Sequence, residues 1–223
     1  VGELGAPVAV EVAHAAEVLA KRVSGAASDA PRGDRPIVSA LVEADVAGAY
    51  EGAVLGFWRR HPEVREAIAV EALIKRDLVL SEKLVQADKW FNQRRIDIGT
   101  EAFGIIATQQ PMASDMRLLA ASLEIAGELE RIHDYVKGIG NISLMIGATA
   151  VPDPLTTHMP EMAEKARFML HRALDAFTER NAQLAYETIK GDDAVDKLYN
   201  KTYRAVMTHM AANPDAFELA QRL

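Results

Sequence analysis

From about His61 onward, apolar residues recur three and four positions apart, the period of an amphipathic helix. The first helical stretch, "HPEVREAIAVEALIKRDLVLSEKLVQADKWFNQRRIDIGTEAFGIIATQQ", ends at Pro111. Ser114 followed by Asp115 then reads as an N-cap with an acid in the first turn, opening a helix over about Asp115 to Met145. Within it Leu118, Ser122, Ile125, Leu129, Ile132, Val136 and Ile139 fall at alternating spacings of four and three, a heptad-like seam suited to bundle packing. On the preceding stretch Leu80, Leu84, Ala87 and Phe91 form a similar seam. "GATAVPDPLTTH", Gly147 to His158, reads as a linker by its Gly, Pro and Thr content. A third amphipathic region follows Pro160, with Gly191 marking a bend and "NPD" at Asn213–Asp215 another break.

The helical regions repeat. A shift of 104 residues places Arg76 on Arg180, Asp77 on Asn181, Leu80 on Leu184, Asp88 on Asp192 and Asn92 on Asp196. Pro111 falls within one residue of Pro214. The counterpart of Glu130 would be residue 234, so the second copy is expected to stop as its last helix begins. Seam residues such as Leu198 and Val206 would then be exposed. The pattern divides the chain into 61–146, a first bundle; 147–158, a linker; and 159–223, a second bundle incomplete at its C-terminal end. Residues 1–60 stand outside the repeat: two Ala- and Val-rich stretches suited to helices flank a flexible "SGAASDAPRGDRP".

Composition narrows the function classes. The chain has 223 residues, 49% apolar, enough for a core. A net charge of −7 argues against general nucleic-acid binding and suits cations or basic partners. Without cysteine there is no disulfide, thiolate zinc site or cysteine nucleophile. No apolar run reaches the roughly 20 residues that span a bilayer, and the first residues have no basic n-region, so a cytoplasmic protein is expected.

The candidate chemistry lies in carboxylate pairs. "GELERIHDYVKGI" overlays two metal-binding spacings: E-x-x-H in Glu130 and His133, and E-x-x-x-D in Glu130 and Asp134. At roughly 100° per residue, Glu130 lies about 120° and Asp134 about 160° from the seam, while His133 lies about 60° from it. The two acids therefore share an outward face. His133 is expected at the edge of the core, hydrogen-bonded. An interior di-iron site needs the E-x-x-H pair to project inward, which Glu130 does not. A second E-x-x-H, Glu11 and His14, falls in the unassigned segment. The four-residue spacing recurs at Asp88–Asn92 and Asp192–Asp196. Two such helices side by side can offer four oxygens to one cation, and crowded carboxylates favour one. A solvated acidic face gives the same spacing by chance.

"ATQQPMASDMRLLAASLEIAGELERIHD", Ala107 to Asp134, resembles the signature of the PhoU family of phosphate-uptake regulators, approximately QQP-x-A-x-D-L-R followed by D/E-L-E-R-I-G-D. "ALIKRDLVLSEKLVQADKWFNQ" resembles the family's preceding helix pair, and "MPEMAEKARFMLHRALDAF" with "GDDAVDKLYNKTYRAVMTHMAANPDAFELAQRL" its second half. His133 stands where the family has Gly, and Gly138 where it has Asn. The resemblance implies an all-α fold: two repeated antiparallel three-helix bundles side by side, the second lacking its last helix here. It further implies surface metal clusters, of iron or zinc in some members, at positions matching Asp88, Asn92, Glu130 and Asp134, and in the second half Asp192 and Asp196.

The expected function follows from that resemblance. It is a non-enzymatic negative regulator of the phosphate regulon, accessory to the high-affinity phosphate ABC transporter. Its implied partners are the transporter ATPase subunit and the sensor histidine kinase of the phosphate response; it would touch membrane complexes only peripherally, bind no nucleic acid and could pair as a homodimer. No nucleophile–base constellation or Gly-rich phosphate loop stands out. The alternative is a metal-dependent enzyme or metal-storage bundle using the same carboxylates.

Overall fold

The computed structural model describes residues 66–149 and 151–213, and every regular element in them is a helix. They are α1 (Glu66–Lys75), α2 (Leu78–Gln109), α3 (Ser114–Ile146), α4 (Asp153–Thr156), α5 (Met159–Thr178), α6 (Ala182–Ile189) and α7 (Asp192–Ala212). The N-terminal segment, with Glu11 and His14, and the Pro214–Asp215 break lie outside the described residues.

In the first half α1, α2 and α3 pack on one another, with α2 against α3 as the most extensive contact. The two long helices are antiparallel: Ser81 meets Ser143, Asp88 meets Lys137 and Arg95 meets Glu130, one helix ascending as the other descends. Both seams turn inward. Ser122, Ile125, Leu129, Ile132, Val136 and Ile139 are buried opposite Leu84 and Phe91. Leu118 instead joins a small separate cluster around Ala102 and Leu119 near the α2–α3 turn. The helices approach closely at Gly140, where a Cβ would lie 3.0 Å from both the Ser81 carbonyl and Val85 Cγ2. The Ser81 hydroxyl donates to Ser143 Oγ at 2.8 Å beside this contact. Ser114 is the first helical residue rather than the cap; the cap position falls to Ala113, with φ of 44°, and Asp115 is buried in the first turn.

The second half repeats the α1–α2 corner. Arg76 and Arg180 both adopt positive φ, 58° and 52°. Behind each, the next amide donates five residues back: Asp77 to Ala72 at 2.9 Å and Asn181 to Ala176 at 2.8 Å. This is the hydrogen-bonded left-handed stop that satisfies terminal helix carbonyls. Each corner then starts its next helix the same way. Asp77 Oδ1 accepts from the Leu80 amide at 2.9 Å, and Asn181 Oδ1 from the Leu184 amide at 3.0 Å.

The halves then diverge. Where α2 continues unbroken, the second copy stops at Ile189 and restarts at Asp192, the bend expected at Gly191. A Cβ on Gly191 would lie 3.0 Å from Met169 Cγ, so the glycine lets α5 press against the break. The segment expected as a linker contains α4, whose fully buried Leu155 belongs to a helix packed on α7. Leu198, expected to be exposed, is buried, and Val206 is half-buried. One apolar core runs through both halves, from Ala69 and Leu73 of α1 to Val195 and Leu198 of α7, and α1 packs on α5.

Candidate functional site: a carboxylate cluster between the long helices

The antiparallel hairpin decides which carboxylates meet. Asp88 on α2 and Glu130 and Asp134 on α3 come into one electrostatic neighbourhood, though Asp88 precedes Glu130 by 42 residues. Asp88 is largely covered, its side chain 14% exposed; Glu130 is 22% exposed and Asp134 49%. The outward face read from the sequence is therefore outward only for Asp134. Glu130, like Asp88 on α2, lies in a seam roofed by the neighbouring helix.

The cluster holds its own cations. Lys137 Nζ lies 2.8 Å from Asp88 Oδ2 and 3.8 Å from Asp134 Oδ1. Arg95 Nε lies 3.9 Å from Glu130 Oε2. Partial burial raises the Glu130 carboxyl above its ordinary value, with Asp134 and then Asp88 adding to the rise against Arg95 and Lys137. Asp134 is likewise raised, first by burial and then by Asp88, with Lys137 opposing. The Lys137 ammonium is raised chiefly by its hydrogen bond to Asp88. Three acids share two bases, and the acids are the crowded partners.

Asn92, the fourth candidate ligand, turns its amide back along its own helix, donating to the Asp88 carbonyl at 3.1 Å. Asp192 is half-buried at the start of α7, with Asp196 exposed one turn later. Among the described residues no three His, Asp or Glu side chains converge as a metal requires. In the first half the donor set does not fit a metal as it stands, because the cation beside Asp88 and Asp134 is Lys137.

His133 differs from its expectation. It is fully buried rather than at the core edge, and its ring stacks on Phe91 with centroids 3.9 Å apart. Neither ring nitrogen has a hydrogen-bond partner; the Leu84 backbone lies beside the ring without reaching hydrogen-bond geometry. Burial pushes its pKa down to about 4, keeping the imidazole neutral, with Lys137 pushing the same way and Asp88 opposing. A histidine about 60° from the seam is buried because α2 covers that flank.

Sequence reasoning missed Lys137 and Arg95, yet the signal was present. Asp88, Asn92 and Arg95 are spaced four and three apart, and so are Glu130, Asp134 and Lys137. Each helix thus carries an acid and, two turns later on the same stripe, a base.

A family model described as the PhoU domain matches residues 64–143 and 159–222, covering both halves of the repeat. The chain belongs to the PhoU family. Among curated relatives, the "Phosphate-specific transport system accessory protein PhoU homolog" of Rhizobium meliloti (strain 1021) is 31% identical over 148 residues, 66% of this chain and 62% of that one. The homologue of the same name from Caulobacter vibrioides (strain NA1000 / CB15N) is 32% identical over 152 residues, 68% and 66% of the two chains. That of Aquifex aeolicus (strain VF5) is 29% identical over 162 residues, 72% and 73%. The chain thus spans somewhat less than two thirds of the length of the first two relatives. As a PhoU-family protein it has the all-helical fold that the resemblance implies, and among the described residues no helix is long and apolar enough to cross a membrane.

Proposed function

We propose that this chain is a non-enzymatic accessory regulator of phosphate uptake that restrains the transporter and keeps the starvation response off when phosphate is plentiful. The observation that carries this reading is the family match across both halves, together with relatives named as accessory proteins of the phosphate-specific transport system. Its partners in this reading are the transporter ATPase and the sensor histidine kinase, met through helix faces in the cytoplasm. The pairing of the first-half carboxylates with Lys137 and Arg95 supports a non-enzymatic role, since acids held by internal cations are poorly placed to work on a substrate.

The test is genetic and then physical. Deleting the gene is expected to derepress alkaline phosphatase in phosphate-rich medium, and unchanged expression overturns the regulatory reading. Pull-down with the purified chain is expected to recover the transporter ATPase.

A further inference from the structure

The two charged stripes are copies of one another. On α2 the order is Asp88, Asn92, Arg95; on α3 it is Glu130, Asp134, Lys137. Each base follows its acid by seven residues, close to two full helical turns, so acid and base share a stripe. Because the helices are antiparallel, each base meets the other helix's acid. Lys137 reaches Asp88 at 2.8 Å and Arg95 reaches Glu130 at 3.9 Å. Parallel helices would set acid against acid and base against base. Asp134, between the two pairs, approaches Lys137 at 3.8 Å. The bond at Asp88 is more than half covered at both ends, with its lysine 35% and its aspartate 14% exposed, so it is less screened than an open surface pair.

We propose that Lys137 and Arg95 form with these acids a reciprocal ion-pair clasp that takes the place of a divalent cation between α2 and α3, so that this cluster binds metal only when Lys137 is removed. The ammonium lies between two carboxylates from different helices, as a bridging cation would. It neutralises the pair that crowding makes costly, and it denies a metal the Asp88 oxygen. The second half differs on this point: under the repeat, Tyr199 stands where Arg95 does, so the α7 stripe Asp192, Asp196, Tyr199 lacks its base.

The test uses the full chain with Asp192→Ala and Asp196→Ala as background, so that any metal counted belongs to the first half. The probes are Zn²⁺ and Mn²⁺, and separately Fe²⁺ without oxygen, each followed by desalting and elemental analysis. The background protein is expected to hold less than about 0.1 metal per chain, and the same protein with Lys137→Met about one, lost again on adding Asp134→Asn. Roughly stoichiometric metal in the background protein that disappears with Asp134→Asn overturns the proposal. So does a folded Lys137→Met protein that stays metal-free. Should Lys137→Met fail to fold alone, recovery of its helical circular dichroism on adding Zn²⁺ supports the clasp, and failure to recover counts against it.

Discussion

The two halves start from the same corner and end in different structures. Arg76 and Arg180 adopt the same left-handed turn, and Asp77 and Asn181 cap the next helix with the same bond. Ten residues later they part. The first copy has Leu84, Ala87 and Arg95 and continues as one 32-residue helix; the second has Thr188, Gly191 and Tyr199 and breaks. Local chemistry that the copies share reproduces local geometry. Where their packing partners differ, α3 on one side and α4 with α5 on the other, the helix path differs too. The left-handed arginines show how strong the corner is, since a non-glycine residue there costs roughly 1–2 kcal/mol and the following hydrogen bonds must offset it.

The sharpest way to separate the halves is through their cores. Leu84 is fully buried against α3, so Leu84→Ala is expected to cost about 2–5 kcal/mol in urea unfolding. Its counterpart Thr188 donates its hydroxyl to the Leu184 carbonyl of its own helix at 2.8 Å, and Thr188→Ala should cost only about 0.5–1.5 kcal/mol. Equal losses would show that the second half depends on this layer as much as the first.

Acid should attack the first half through His133. Its folded pKa of about 4 lies below the ordinary 6.5, so the stability it contributes is complete above pH 6.5 and is lost as pH falls from there to about 4. The shift sets an upper bound of about 3 kcal/mol on that loss. Glu130 and Asp134, with raised values, run the other way: their crowding is relieved as they take up protons. Comparing wild type with His133→Leu at pH 7 and pH 4.5 isolates the histidine, and parallel pH profiles would refute its part.

The break in the second copy can be tested at one atom. In Gly191→Ala the new methyl would meet Met169 Cγ at 3.0 Å, Met169 Sδ at 3.1 Å and the Thr188 carbonyl at 3.2 Å. A loss of about 1–3 kcal/mol is expected from overpacking, although the alanine is the better helix former. Ala87→Gly, the reciprocal change in α2, should cost about 1 kcal/mol through helix propensity alone. A stabilised Gly191→Ala protein would mean that the break needs no close approach by α5.

The smallest effect probes what the halves share. Asp77→Ala and Asn181→Ala each remove one side-chain cap and should cost about 1 kcal/mol apiece in thermal or urea unfolding. Losses that differ by more than about 1 kcal/mol would show that the corners are alike in shape but not in energy.

The sequence by itself determined the long helices, the breaks at Pro111 and Gly191 and the duplication, but not the α1–α2 corner at Arg76 or the short α4 inside the expected linker. The features it determined follow from periodicity, Pro and Gly positions and caps, which act within a few residues. It also determined that Glu130 and Asp134 share a stripe, because that is a property of one helix. Tertiary structure alone decided what covers the stripe. The α2 helix lies over Glu130 and buries His133 completely, where a wheel drawn for α3 in isolation leaves both partly in solvent. It also decided that Lys137 meets Asp88 and Arg95 meets Glu130, since a seven-residue spacing gives each base its stripe but not its partner. Burial and charge pairing are properties of two surfaces brought together, and the direction in which the second helix runs selects which charges meet.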